Sequence, residues 1–218
     1  MIRIAISVEG QTENEFCKKV LTPFFRTHNI ELTPIIIATS KDKCGRKHKG
    51  GCVNIDRIKS EIEKLLPNYD YITTFYDFYG FSNRPTDNID ELERIIFELF
   101  SDRKFIPYIQ KYEFETLLFS KPEYFEEYFG NDKIAKEIKK IVDTYNDIEL
   151  INDSPQTAPH KRFEKLFEIE DQKYDKVFHG EGIAYDIGLS KIRSSAKRFN
   201  NWIEKLSKIN NSTFAHKT

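Results

Sequence analysis

This sequence predicts an α/β fold, a mostly parallel sheet of about four strands flanked by helices with a helical C-terminal region, and three observations predict it. Strand-like and helix-like segments alternate from residue 2 to residue 112. The strand-like segments are apolar and β-branched, as buried parallel strands are. Beyond residue 120 the pattern is almost wholly helical.

Residues 2–8 (Ile-Arg-Ile-Ala-Ile-Ser-Val) read as a buried strand that meets Glu9, and Gly10 permits a sharp turn. Thr12-Glu13-Asn14-Glu15 has capping-box spacing, which accounts for Glu15 and starts a helix there. Phe16, Val20, Leu21 and Phe24 give that helix one apolar face, and Cys17 among them reads as core. Residues 32–38 read as a second strand, and 39–52, rich in Lys and Gly, as a polar loop. Val53, Ile55, Ile58, Ile62, Leu65 and Leu66 predict a helix over 53–66, stopped by Pro67. Residues 70–77 form a third strand ending at Asp77, and a Gly/Asn/Pro loop at 80–88 leads into a helix at 88–101. Residues 104–112 read as a fourth strand that delivers Glu113-Phe114-Glu115. Further helices are predicted at 132–145, 159–169 and 195–208. The expected division is an α/β core over 1–120 and a mostly helical extension over 121–218 packed on it.

Hydrophobic residues at 39% and charged residues at 32% of 218 place the chain among globular proteins. The longest apolar runs, such as Ile35-Ile36-Ile37-Ala38, are far too short for a membrane span. The N-terminus lacks the small-residue cleavage site of a signal peptide. Three cysteines, an odd number, argue against a disulfide scaffold and point to the cytoplasm. A net charge of −1 weighs against a generic basic nucleic-acid binder. Two local basic patches stand against it: Lys41, Lys43, Arg46, Lys47 and Lys49, and then Lys191, Arg193, Lys197 and Arg198.

In an open parallel sheet, functional groups gather at the carboxyl ends of the strands. Glu9 closes the first strand, Asp77 the third, and Glu113 or Glu115 the fourth. Carboxylates crowded together repel unless a cation joins them. Hard divalent ions such as Mg²⁺ take oxygen ligands and keep waters that substrate phosphates replace. Each acid taken singly has a plainer explanation: a turn residue at Glu9 or Asp77, a dipole partner at Glu13, a surface lysine pair at Glu113 or Glu115. Their coincidence at successive strand ends points to a metal site and to phosphodiester chemistry.

Val8-Glu9-Gly10-Gln11-Thr12-Glu13 resembles the opening signature of Toprim domains, and Tyr76-Asp77-Phe78-Tyr79-Gly80 their aspartate motif. The closer resemblance is to the DUF4276 family, which is Toprim-like and similar to the Toprim portion of overcoming-lysogenization-defect (OLD) nucleases. It is carried by Phe105 to Gln110 with Glu113 to Ser120, by Thr157-Ala158-Pro159 with Lys161-Arg162, by Ile187-Gly188-Leu189 with Ile192-Arg193, and by Phe199-Asn200-Asn201-Trp202. The resemblance implies Glu9 as metal ligand or general base, Glu13 as a further ligand, and Asp77 as the first aspartate of an Asp-x-Asp pair. Tyr79 stands where that pair's second aspartate is expected, which leaves the second metal's ligand to Glu113 or Glu115. His160 is an unusual occupant of the family's Pro-Ser-Lys-Arg stretch.

Lys49 beside Gly50-Gly51, and Lys161, Arg162 and Arg193, are candidate phosphate contacts, each also readable as ordinary surface charge. Cys44-x3-His48-x3-Cys52 lacks the fourth ligand of a structural zinc. His179-Gly-Glu181-Gly reads as a flexible turn. Tyr76, Phe78, Tyr79 and Phe81 around Asp77 either stack bases or pack the rim. The functional expectation is an Mg²⁺- or Mn²⁺-dependent nuclease acting on DNA or RNA, with Glu9, Asp77 and Glu113 catalytic. The resemblance adds an anti-phage setting and an ABC/SMC-like ATPase partner. No membrane partner is expected, and a homodimer is compatible with the sequence. Two alternatives are a non-catalytic module that docks the ATPase, and a metal-dependent enzyme of small nucleotides.

Overall fold

The computed structural model describes residues 1–41, 47–49, 53–145, 147–152 and 154–210. The chain divides into two compact units, Met1–Gln110 joined by the chain from Glu204, and Lys111–Ile203.

The first unit follows the predicted alternation. Its elements are β1 (Ile2–Val8), α1 (Gln11–Phe16), a π-helical turn (Cys17–Leu21), α2 (Thr22–Arg26) and β2 (Ile30–Ile36). After these come β3 (Ala38–Lys41), β4 (Lys47–Lys49), α3 (Ile55–Leu65), β5 (Tyr71–Asp77), α4 (Ile89–Glu98), β6 (Phe105–Ile106) and β7 (Ile109–Gln110). Among the described residues one sheet runs in the order β2-β1-β5-β6, with β7 also on β5, and every pairing in it is parallel. This is the mostly parallel α/β sheet the sequence predicts. β1 and β5 lie at its centre and bury nearly every residue, the polar Ser7, Thr73 and Thr74 included. Successive side chains of a strand point to opposite faces. Tyr76 accordingly joins Ala5, Ile72 and the apolar faces of α3 (Ile58, Ile62, Leu65) and α4 (Leu92, Ile96) in one core cluster. Its neighbour Phe75 instead meets Phe16 at the end of α1, ring centroids 6.0 Å apart.

Several local expectations are corrected. The fourth strand is two short pieces, because Pro107 has no N–H for the ladder. Side chains of β5 take over around the break: Thr73 Oγ1 donates to the Ile106 carbonyl at 2.6 Å, and Thr74 Oγ1 donates to that of Tyr108 at 2.8 Å. The Tyr108 N–H returns a bond to Thr74 Oγ1 at 2.9 Å. The cap of the first helix lies two residues earlier than its spacing suggested. Gly10 is its N-cap, and Glu13 rather than Glu15 reaches back, accepting from the Gly10 N–H at 2.9 Å. Glu15 instead accepts from Gln11 at 2.9 Å and Lys18 at 3.0 Å. Cys17 is buried as expected. The third helix starts at Ile55, its N-cap Asn54 accepting from the Arg57 N–H at 3.0 Å. Within the expected loop 39–52, β3 and β4 pair antiparallel. The remaining parts of that loop, the side chains of its basic run including Lys49, and the Cys44/His48/Cys52 set lie outside the described residues.

The second unit holds a 3-10 segment (Phe114–Ser120) and α5 (Tyr124–Phe129), α6 (Lys133–Thr144), α7 (Pro159–Glu168), α8 (Lys176–Ile187) and α9 (Leu189–Ser195). Most of α10 (Lys197–Ser207) also belongs to it. Its core is aromatic. Phe163 packs on Phe119 at 4.7 Å and Tyr174 at 5.5 Å, and Trp202 is buried against Phe199 at 5.6 Å. The helix expected over 195–208 is α10, and the separate α9 that precedes it, ending before Ala196, was not predicted. The expected turn at His179-Gly-Glu181-Gly is instead inside α8. Asp175 caps that helix by accepting from the Phe178 N–H at 2.8 Å, and the Asp175 N–H donates to His179 Nδ1 at 2.7 Å. These tertiary and capping contacts override the poor helix propensity of Gly180 and Gly182. Among the described residues no helix is long and apolar enough to cross a membrane.

Candidate functional site

The parallel register of β1 and β5 sets Val8 opposite Phe75, so the residues that follow, Glu9 and Asp77, leave the sheet at the same carboxyl edge. At that edge Asp77 is opposite Gln110 of β7. The last strand thus ends in a buried amide rather than in Glu113, which corrects the expected delivery of that acid. Gln110 Oε1 accepts from the Tyr108 hydroxyl at 2.9 Å. Asp77 is buried, as is Glu13.

Glu9 is accommodated by a glycine. After Asp77 the chain makes a single 3-10 turn, Phe78–Gly80, and a Cβ built on Gly80 would be 2.6 Å from Glu9 Cδ and from its Oε1. Those separations are well inside van der Waals contact. The turn is itself pinned. The Val53 N–H donates to the Gly80 carbonyl at 3.0 Å, the Ser82 N–H donates to that of Val53 at 2.8 Å, and Phe81 pairs with Val53 as a parallel bridge. Behind the edge, the buried Tyr76 hydroxyl donates to Ser7 Oγ at 2.6 Å and ties the ends of the two strands together. Burial pushes the Tyr76 phenol well above its ordinary value, Ser7 opposes this, and the Glu61 and Glu9 charges add to it.

Glu113 and Glu115 belong to the second unit, in a network of their own. Glu113 is the N-cap of the Phe114–Ser120 segment and is gripped by His160 at the start of α7. The His160 backbone N–H donates to Glu113 Oε2 at 3.0 Å, and its Nδ1 lies 2.7 Å from both carboxylate oxygens. Burial raises the Glu113 carboxyl, but the His160 bonds and the Lys176 charge outweigh it and leave the group below its ordinary value. Glu115, fully buried, is 3.4 Å from Lys176 Nζ and accepts from the Tyr174 hydroxyl at 3.4 Å. Burial and then the Glu115 charge push the Tyr174 phenol well up. The lysine pairing weighed for one of these two acids takes a different form here: Glu115 meets Lys176 from a fully buried position rather than at the surface.

The other sequence candidates have local engagements. Lys161 pairs with Glu164 at 2.6 Å. Arg162 donates to the Thr157 carbonyl at 2.8 Å and to the Tyr145 hydroxyl at 3.2 Å, and Arg193 donates to Asn200 at 2.7 Å. Sequence reasoning missed Gly80, the Ser7–Tyr76 bond, and the partners Tyr174 and Lys176. His160 carried one signal, its departure from the family pattern.

Among the described residues no three His, Cys, Asp or Glu side chains already form a coordination shell. Mg²⁺ is commonly held by one or two carboxylates, with waters and substrate phosphates completing its octahedron. Glu9 and Asp77, hard oxygen donors on one sheet edge with a glycine making room for the longer one, fit such an ion.

The DUF4276 family model, described as a domain of unknown function, matches residues 8–207. Among solved structures, the C-terminal region of the OLD protein of Xanthomonas campestris pv. campestris is similar at 16% identity. That match covers 92% of this chain and 96% of the other, with a TM-score of 0.35. No curated protein matches the chain.

Proposed function

For this chain, which belongs to the DUF4276 family, we propose a Toprim-like, metal-dependent nuclease that cleaves phosphodiester bonds of DNA or RNA. The observation that carries the reading is the pair Glu9 and Asp77 at the carboxyl ends of two adjacent parallel strands, with Gly80 leaving space for the Glu9 carboxylate. The two carboxylates are the proposed holders of Mg²⁺ or Mn²⁺, and Glu13, one helical turn on, orders the Gly10 turn from which Glu9 projects. The bound ion would supply charge neutralisation at a scissile phosphate and a water of lowered pKa. The chain's own part is to hold the two acids in fixed geometry, through the Tyr76–Ser7 bond behind them and the pinned turn after Asp77. An anti-phage role beside an ABC/SMC-like ATPase is part of the same proposal, on family resemblance.

The test is cleavage of labelled plasmid, single-stranded DNA and tRNA with Mg²⁺ or Mn²⁺, comparing the protein with Glu9→Ala and Asp77→Ala. Metal-dependent cutting lost in both variants supports the reading. No cutting, even beside a co-purified ATPase, sinks it in favour of a docking module. Release of phosphate or pyrophosphate from small nucleotides, with polymers untouched, moves the same acids to another phosphoryl reaction.

A further inference from the structure

We infer that Arg84 is a phosphate-binding residue for a nucleic-acid strand, held ready on the loop that follows Asp77. Arg84 is the one basic residue between Asp77 and the start of α4 at Ile89. Its guanidinium carbon is 4.3 Å from the ring centroid of Phe78, the residue next to Asp77. Phe78 is buried, so the platform under the cation is fixed. Arg84 Nε donates to Asp87 Oδ1 at 2.8 Å, and Nη2 reaches the same oxygen at 2.8 Å. These contacts set the plane of the fork. Pro85 restricts the backbone of Arg84 from the other side. The loop is anchored by the Val53–Phe81 bridge and the Ser82 to Val53 bond.

The plainer account is an exposed Arg–Asp pair three residues apart, and such pairs contribute little to stability. It leaves the stacking unexplained. Asp87 is 88% accessible and engages only one edge of the guanidinium, whose side chain keeps 28% of its own surface open. Arginine presents five donors in a planar fork that matches phosphate oxygens, and stacking on a ring orients that fork without using its donors. A cation seated over the ring of Phe78, the residue that follows the proposed metal ligand Asp77, suits a phosphate of the strand being cut. A strand's successive phosphates would then meet the ion and the guanidinium in turn. The inference rests on the nuclease reading for its substrate class, yet it is measurable as binding.

The experiment follows binding of a fluorescein-labelled single-stranded oligonucleotide in Ca²⁺ across a salt series, for the wild type, Arg84→Gln and Arg84→Lys, with cleavage and the Mn²⁺-induced thermal shift measured alongside. Arg84→Gln is expected to weaken binding about tenfold, the loss of one charge-assisted contact. It should also lower the salt slope by about 0.7, one phosphate's share for a single strand. The Mn²⁺ shift should stay at its wild-type value. Arg84→Lys should keep the slope, because the charge remains, and recover part of the affinity. Wild-type affinity and slope in Arg84→Gln overturn the inference, as does a loss of the Mn²⁺ shift in that variant, which would mark Arg84 as structural. Arg84-dependent binding by a protein that cuts no polymer would uphold Arg84 and sink the nuclease reading. A wild type that does not bind the oligonucleotide overturns the inference outright.

Discussion

Replacing Gly80 by alanine should separate stability from activity. The added Cβ would sit 2.6 Å from Glu9 Cδ. Carbon atoms rest no closer than about 3.5 Å, so the Glu9 carboxylate must retreat by about 0.9 Å or more. The obstructed group is the far end of a flexible side chain, and a modest off-rotamer shift costs about 0.5–1.5 kcal/mol. The fold should therefore lose no more than about that amount. A misplacement of about 1 Å in a catalytic constellation can lower the rate about 100-fold. Gly80→Ala is thus expected to melt close to the wild type and to cut about 100-fold more slowly with Mn²⁺, with weakened Mn²⁺ binding by calorimetry. Cleavage and Mn²⁺ binding at wild-type levels would refute the claim that the glycine makes room for a working carboxylate. A large fall in Tm would assign Gly80 to packing instead.

The remaining expectations concern the same edge and the second unit. Mn²⁺ at about 100 times its Kd should stabilise the wild type by about 2.7 kcal/mol, and a thermal-shift titration should show this gain lost in the Glu9→Gln, Asp77→Asn double variant. Tyr76→Phe strips the donor from the buried bond to Ser7 and should cost about 1–3 kcal/mol in urea unfolding, against no change if the bond is idle. Glu113 has a folded-state pKa below its unfolded value. Its stabilising contribution is therefore present above the ordinary carboxylate range and is lost as pH falls through the lowered folded pKa. Glu113→Gln should be less stable than the wild type at neutral pH and should approach it in acid; parallel curves across the acid range would contradict the His160 grip as its cause.

What the sequence disclosed about this molecule, and what it withheld, follows from the range of the interactions involved. Glu9 and Asp77 could be placed at strand ends because strand alternation and the Gly10 turn are local signals. The break at Pro107 was legible in principle, since proline cannot donate to a ladder, but the Thr73 and Thr74 hydroxyls that bridge it lie 33 and 34 residues away. The helix through His179 and Gly180 reversed a local signal, because the Asp175 cap and a buried Gly180 decide it. Glu113 looked like a strand-end ligand as long as residues 104–112 were one strand. Once the strand ends at Gln110, Glu113 becomes a cap held by His160, which lies 47 residues on. Arg84 and Asp87 had helix-like spacing that a charge scan can find, whereas the ring of Phe78 beneath the cation required the folded turn.

The burial of Trp202 against Phe199 has a spectroscopic consequence. It is the only tryptophan in the sequence, and it lies in the second unit. Indole emission excited at the red edge of the absorption band therefore reports one unit alone, while far-UV circular dichroism sums the helices and strands of both. Superimposable melting curves from the two signals would mean that the parallel-sheet unit and the aromatic helical unit lose structure in one cooperative step. An emission shift that leads or trails the dichroism would resolve two transitions without labelling or truncation, and would identify the aromatic unit's share directly.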